Sequence, residues 1–149
     1  MLTVRKAPPD DAEAVHELYH NHLTATPPPE PQDMGAWREK LARFHSNPHY
    51  HLLLCEMDGQ IVSSVTLIIV ENLTHNQRPY AVIENVVTHA NHRNRHYATD
   101  LMDKACRIAE EHNCYKIMLM TGSKKDSTLR FYENCGYNKN DKTGFIKWL

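Results

Sequence analysis

Hydrophobic and polar positions along the chain change period several times, and each change predicts an element. A strand opens the chain. Residues 9–23 follow with Asp10 and Asp11 near their start and Ala14, Leu18 and His22 at four-residue spacing, which is helical. A second helix is predicted over 34–46, with Trp37, Leu41 and Phe44 on one side, stopping before Asn47-Pro48 because proline forbids continuation. Between them, Thr26-Pro27-Pro28-Pro29-Glu30-Pro31 reads as a stiff loop. Apolar runs at 51–56 and 61–70 flank Asp58-Gly59, a hairpin dipeptide, and so predict two antiparallel strands. A polar connection at 74–79 leads to a strand at 80–88.

From 95 to 112 the pattern is helical again, with Tyr97, Leu101, Ala105 and Ile108 along one face. Residues 114–120 read as a buried strand, 126–134 as a helix stopped by Gly136, and 144–149 as a last strand. The stretch 80–120 is one βαβ unit, whose crossover makes its strands parallel. Hairpin-linked strands before it are antiparallel. The expected class is therefore α/β or α+β, a mixed sheet with helices on both faces.

The length of 149 residues suits a single domain over 1–149, and 41% hydrophobic with 23% charged residues is an ordinary globular composition. Seventeen Lys and Arg against eighteen Asp and Glu give a net charge of -1, which removes bulk electrostatics as a reason to bind nucleic acid or an anionic membrane. The longest apolar run is strand-sized, and Met1 to Lys6 lacks an apolar signal core. Cys55, Cys106, Cys114 and Cys135 form no CxxC pair and read as mostly buried thiols, so a cytoplasmic protein is expected. Among eleven histidines, His20/His22 and His49/His51 are His-x-His pairs and His92/His96 are four apart. Ligand convergence is not visible in these spacings, and no metal site is assigned.

In a βαβ unit, ligands meet the carboxyl ends of the parallel strands and the start of the crossover helix. That point is His92-Arg93-Asn94-Arg95-His96-Tyr97-Ala98-Thr99, where free first-turn N–H groups and guanidinium forks suit a pyrophosphate. Glu84 lies within the apolar strand Val82-Ile83-Glu84-Asn85-Val86, where a buried carboxylate would need a partner or a task. Strict alternation places Glu84 on the same face as Val86.

The segment from Val86 through Ala98 resembles the acetyl-CoA motif of the GNAT superfamily of N-acetyltransferases, Arg/Gln-x-x-Gly-x-Gly/Ala after a strand ending in Val. Arg93 matches the first position and Ala98 the last, while His96 stands at the common middle glycine. Downstream, Leu129-Arg130-Phe131-Tyr132-Glu133-Asn134-Cys135-Gly136-Tyr137 resembles the second signature, Phe-Tyr-x-x-x-Gly-Phe/Tyr. The resemblance implies a GNAT-like fold and acetyl-CoA as co-substrate. It implies that the backbones of Val86 and Val87 pair with the pantetheine arm like an added strand. Arg93, Asn94, Arg95, His96, Tyr97, Ala98 and Thr99 would hold the pyrophosphate, mainly through main-chain N–H groups.

By the same resemblance Tyr132 is the acid that protonates the leaving thiolate, and Glu84 is the base or acceptor-positioning group, with His89 as runner-up. Cys135 is expected to pack. The implied reaction passes acetyl directly to a primary amine of a small molecule, such as an amino sugar or aminophosphonate, bound by residues 16–37. A peptide or protein amine is the alternative, as is a non-catalytic acyl-CoA sensor or a His-rich metal-binding domain. The apolar final segment predicts a homodimer.

Overall fold

A computed structural model describes residues 1–26, 28–29 and 31–149. The chain forms two compact units, Met1–Met118 and Leu119–Leu149. The first begins with β1 (Leu2–Lys6), a 3₁₀ turn η1 (Pro9–Asp11), α1 (Ala12–His22) and α2 (Met34–Ser46). It continues with β2 (Tyr50–Met57), β3 (Gln60–Val70), a short turn α3 (Thr74–Gln77), β4 (Tyr80–Thr88), a second 3₁₀ turn η2 (Ala90–His92) and α4 (Tyr97–Glu111). Strand β5 (Ile117–Leu119) spans the boundary, and the second unit carries α5 (Asp126–Asn134). No helix of the described residues is long and apolar enough to cross a membrane.

The sheet order is β1-β2-β3-β4-β5, with antiparallel pairing from β1 to β4. The next junction is parallel: Tyr115 N–H donates to Pro79 O and Ala81 N–H to Lys116 O, both at 3.0 Å, so residue numbers rise together on the two strands. The mixed sheet expected from the sequence is thus present. At the β2–β3 hairpin, Asp58 and Gly59 have φ of 50° and 83°, as a two-residue turn with two positive φ values requires. Helix α2 ends at Ser46, and Asn47 is extended (φ -87°, ψ 117°), which a following proline demands.

Alternation along β2 divides the core. Leu52 and Leu54 join Ala7, Ala12, Val15 and Leu41, packed by Tyr19, Trp37 and Phe44 of α1 and α2. Leu53 and Cys55 point the other way, where α4 lies across the sheet with Leu101, Met102 and Ala105 buried. Helices cover both faces, as predicted. Arg5 ties β1 to η1 and β2 through Asp11 and Glu56, its Nη2 reaching Glu56 Oε2 at 2.7 Å.

Several expectations are corrected. The first helix begins as a 3₁₀ turn, because Pro9 and the two aspartates form a separate turn before Ala12. The apolar run at 114–120 yields only the three-residue β5, and Met118 and Met120 are exposed, since β5 is last in the sheet order. Residues 144–149 form no strand: Phe145 and Trp148 are 88% and 85% exposed. Of the four cysteines only Cys55 is buried, and none is in a disulfide. In the proline-rich loop, Pro27 and Glu30 lie outside the described residues. The polar connection before β4 contains three successive residues at positive φ (His75, Asn76, Gln77), with His75 stacked on Tyr115 at 3.8 Å.

Candidate active site

Strand β4 carries an interruption that the alternation pattern hides. Thr66 faces Glu84, but two residues back on β3 Ser64 faces Val87, so β4 holds one residue more than its partner. Asn85 sits in this bulge with a left-handed φ of 54°. Cross-strand partners share a face, so Glu84 shares its face with Val87, not with Val86 as strict alternation predicts. Glu84 and Asn85 are exposed, within a strand whose Ala81, Ile83 and Val87 are buried.

The bulge also decides which backbone groups face outward. His89 N–H donates to Val62 O at 2.9 Å, so His89 points its amide at β3, and so does Val87 two residues earlier. The Val87 carbonyl in addition accepts Ser63 Oγ at 2.8 Å. Val86 and Thr88 therefore turn their main-chain groups away from β3. Of the two valines singled out by sequence, Val86 turns its main chain outward, and Val87 places its side chain in the core at 4% exposure. β4 spans nine residues and β5 three.

The next segment exposes main-chain donors and arginines together. Helix α4 opens without a side-chain cap, and its first helical bond is Asp100 N–H to His96 O at 3.0 Å. The N–H groups of Tyr97, Ala98 and Thr99 precede that bond and point off the positive end of a 15-residue helix. Arg93, Asn94, Arg95 and His96 are exposed around it, and Arg93 Nε donates to Thr88 O at 3.4 Å. Tyr97 is buried, 7% exposed, so only its main chain is available there. Asp100, the acid of this first turn, lies toward Cys55 beneath the helix and raises that thiol's pKa, after burial, to about 11.

Asn94 and His96 both have left-handed φ, 61° and 65°. Such a conformation costs a residue with a Cβ about 1–2 kcal/mol, which explains physically why glycine suits the position of His96. His96→Gly is expected to raise the melting temperature by about 2 °C in scanning calorimetry, the balance of relieved strain against glycine's greater unfolded freedom. A drop would show that the imidazole makes stabilising contacts.

Sequence reasoning missed the groups facing Glu84. The Tyr19 hydroxyl is buried over Ser64 and Thr66, and among the described residues neither it nor Ser64 Oγ completes a well-formed hydrogen bond. Burial raises the Tyr50 phenol pKa most, followed by Tyr19 and then Glu84, which places the three within electrostatic reach. Trp37 lies 6.4 Å from the Tyr19 ring, and Phe44 stacks on Tyr50 at 3.9 Å. This is an aromatic face with one exposed carboxylate. The signal available in sequence was the polar Ser64 and Thr66 inside the apolar β3.

Tyr132 lies on α5 in the second unit, half-buried, with its ring 5.1 Å from Phe131. His92 belongs to η2 and His96 precedes α4, so their spacing does not align them on one helix. His49 and His51 both approach His112, at 5.9 and 5.6 Å between ring centroids. Among the described residues no three His, Cys, Asp or Glu side chains form a metal-ligand group.

The bulged strand with its outward amides thus leads, through η2, to an uncapped helix start flanked by arginines. Sequence comparison gives the family. Residues 12–137 match the family described as Acetyltransferase (GNAT) family, and the chain belongs to it. It is an acyltransferase, and its family generally uses acetyl-CoA. A solved chain from Agrobacterium tumefaciens str. C58 carrying an acetyltransferase assignment is 37% identical, with 99% of each chain covered and a TM-score of 0.87. Glucosamine-6-phosphate N-acetyltransferase from Arabidopsis thaliana is 20% identical over 99% of this chain and 98% of its own, with a TM-score of 0.86. A transcriptional regulator from Bacillus halodurans C-125 is 21% identical, with 99% and 100% covered and a TM-score of 0.85. The last two share the fold.

Proposed function

We propose that the protein transfers acetyl from acetyl-CoA directly to the primary amine of a small molecule, an amino sugar, aminophosphonate or similar compound. The observation that carries this reading is the bulge at Asn85, which turns the Val86 main chain outward just before the α4 start. The fit is chemical: outward amides suit an extended amide-bearing arm, and the first-turn N–H groups with Arg93 and Arg95 suit a pyrophosphate. The aromatic face around Tyr19, Trp37 and Tyr50 is the acceptor side, with Glu84 as its carboxylate.

An amine is mostly protonated at neutral pH, with an ordinary pKa of about 10.4. Glu84 takes a proton from it, the nitrogen forms its bond to the acetyl carbon, and the carbon–sulfur bond breaks. Tyr132 gives a proton to the departing thiolate, the nitrogen sheds its second proton to solvent as it becomes an amide, and the Tyr132 phenolate regains a proton from solvent, so that the products are the amide and the free thiol. Outward main-chain N–H groups of β4 stabilise the oxyanion formed between these events. Cys135 takes no part, because the transfer needs no acyl-enzyme.

Thiol release from acetyl-CoA tests this reading. With a panel of amino sugars, aminophosphonates and peptides, release is expected with one of the small amines and not with the peptides. Binding of acetyl-CoA without release by any amine would favour a sensor. A homodimer belongs to the same proposal, since Phe145, Ile146, Trp148 and Leu149 are exposed and need cover; a monomer mass by light scattering removes it.

A further inference from the structure

The connection from β4 to α4 is fastened to the end of α1 by imidazoles. His22, the last residue of α1, lies against His89 with ring centroids 4.1 Å apart and planes at 43°. His22 Nδ1 accepts the N–H of Ala90 at 3.3 Å. His89 Nδ1 accepts the N–H of Asn91 at 3.1 Å and so caps η2. His92 comes next, edge-on to His89 at 5.3 Å and 6.2 Å from the ring of Tyr97. Its Nδ1 is buried without a hydrogen-bond partner among the described residues. A row of rings thus leads from the acceptor-side helix to the first residue of α4.

An imidazole nitrogen accepts a hydrogen bond only when it carries no proton. Both bonds therefore require neutral rings with the proton on Nε2. A second proton would turn either Nδ1 into a donor aimed at a backbone N–H. It would also place a cation against a neighbouring imidazole.

We propose that His22 and His89 are positioning residues for the turn Arg93 to Thr99, effective only while neutral, so that binding of a CoA nucleotide weakens as the solution is acidified. This rests on the reading that the turn holds acetyl-CoA.

The groups facing His22 set the sign. Burial disfavours its charged form most, His89 and Arg93 add to this, and Glu17 of α1 opposes them, leaving its pKa lowered from 6.5. His89 faces His22 and His92. A lowered value means that the contribution is complete above pH 6.5 and is lost as the pH falls through the lowered value. A rival effect has the opposite sign: imidazolium beside a pyrophosphate would strengthen binding on acidification.

The experiment titrates coenzyme A into the wild-type protein, His22→Asn and His22→Ala at pH 7.5 and 5.5. The Asn side-chain oxygen takes the place of Nδ1 as acceptor and does not titrate. The ligand's phosphates titrate identically in all three titrations, so differences between proteins report the histidine. The wild-type dissociation constant is expected to rise between the two pH values more than that of His22→Asn, by up to about fivefold, the worth of one hydrogen bond. His22→Ala is expected to bind about fivefold more weakly than wild type already at pH 7.5. If His22→Ala does not fold, the comparison of wild type with His22→Asn decides alone. Equal pH dependence of those two proteins, or tighter wild-type binding at pH 5.5 relative to His22→Asn, overturns the proposal. Absence of coenzyme A binding by wild type at both pH values overturns the reading of the turn, and the proposal with it.

Discussion

Replacing Tyr132 with phenylalanine is expected to lower kcat for acetyl transfer by about 100-fold, the usual worth of a positioned general acid, while acetyl-CoA binds as before. The two side chains differ by one hydroxyl. Tyr132 stands on α5 next to Phe131, with which it makes an inclined ring contact of 60°, and phenylalanine preserves that packing. The step affected is the departure of the thiolate, whose conjugate acid has an ordinary pKa of about 8.5. Loss of the donor therefore acts on kcat and kcat/KM together, the signature of an interaction made in the transition state. Stopped-flow or steady-state thiol release measures it. Turnover equal to wild type would take Tyr132 out of the mechanism.

Glu84→Gln is the second large effect. It keeps the size and hydrogen-bonding shape of the side chain on the bulged strand and removes its basicity. At pH 7 kcat/KM is expected to fall by about 100-fold. The deficit should shrink as the pH rises toward the acceptor's own pKa of about 10.4, because the amine then arrives without the proton that Glu84 removes. Glu84 is exposed and opposite Thr66, so the substitution disturbs no core contact. A pH profile of the ratio between wild type and variant separates the roles. A deficit that stays constant with pH would make Glu84 a positioning group for the acceptor and not its base.

The elements were legible where a residue type enforces one local geometry. Asn47-Pro48 ends α2 and Asp58-Gly59 turns the hairpin because few alternatives exist for those dipeptides. The antiparallel hairpin and the parallel crossover followed from the pattern of elements along the chain. Residues Arg93 to Thr99 lie at one helix start, where the βαβ pattern places them.

What escaped the sequence were features without a residue-level requirement. Asparagine at 85 gives no certain sign that its φ will be positive, so the bulge, and with it the face occupied by Glu84, was invisible to strict alternation. The same bulge distinguishes the main chains of Val86 and Val87, which the sequence pattern treats alike. The contact of Tyr19 with Ser64 and Thr66 joins α1 to β3 across more than 40 residues of chain, a separation that periodicity does not bridge. The terminal residues Phe145 to Leu149 have strand-like composition, yet composition alone supplies no partner strand.

The proposed reaction requires the outward-facing end of β4 and the α4 start to receive acetyl-CoA. Isothermal titration of acetyl-CoA into the purified protein tests this most directly. Saturable one-to-one binding in the micromolar range is the expected result. No heat of binding up to about 1 mM, the upper end of ordinary substrate KM values, would contradict it.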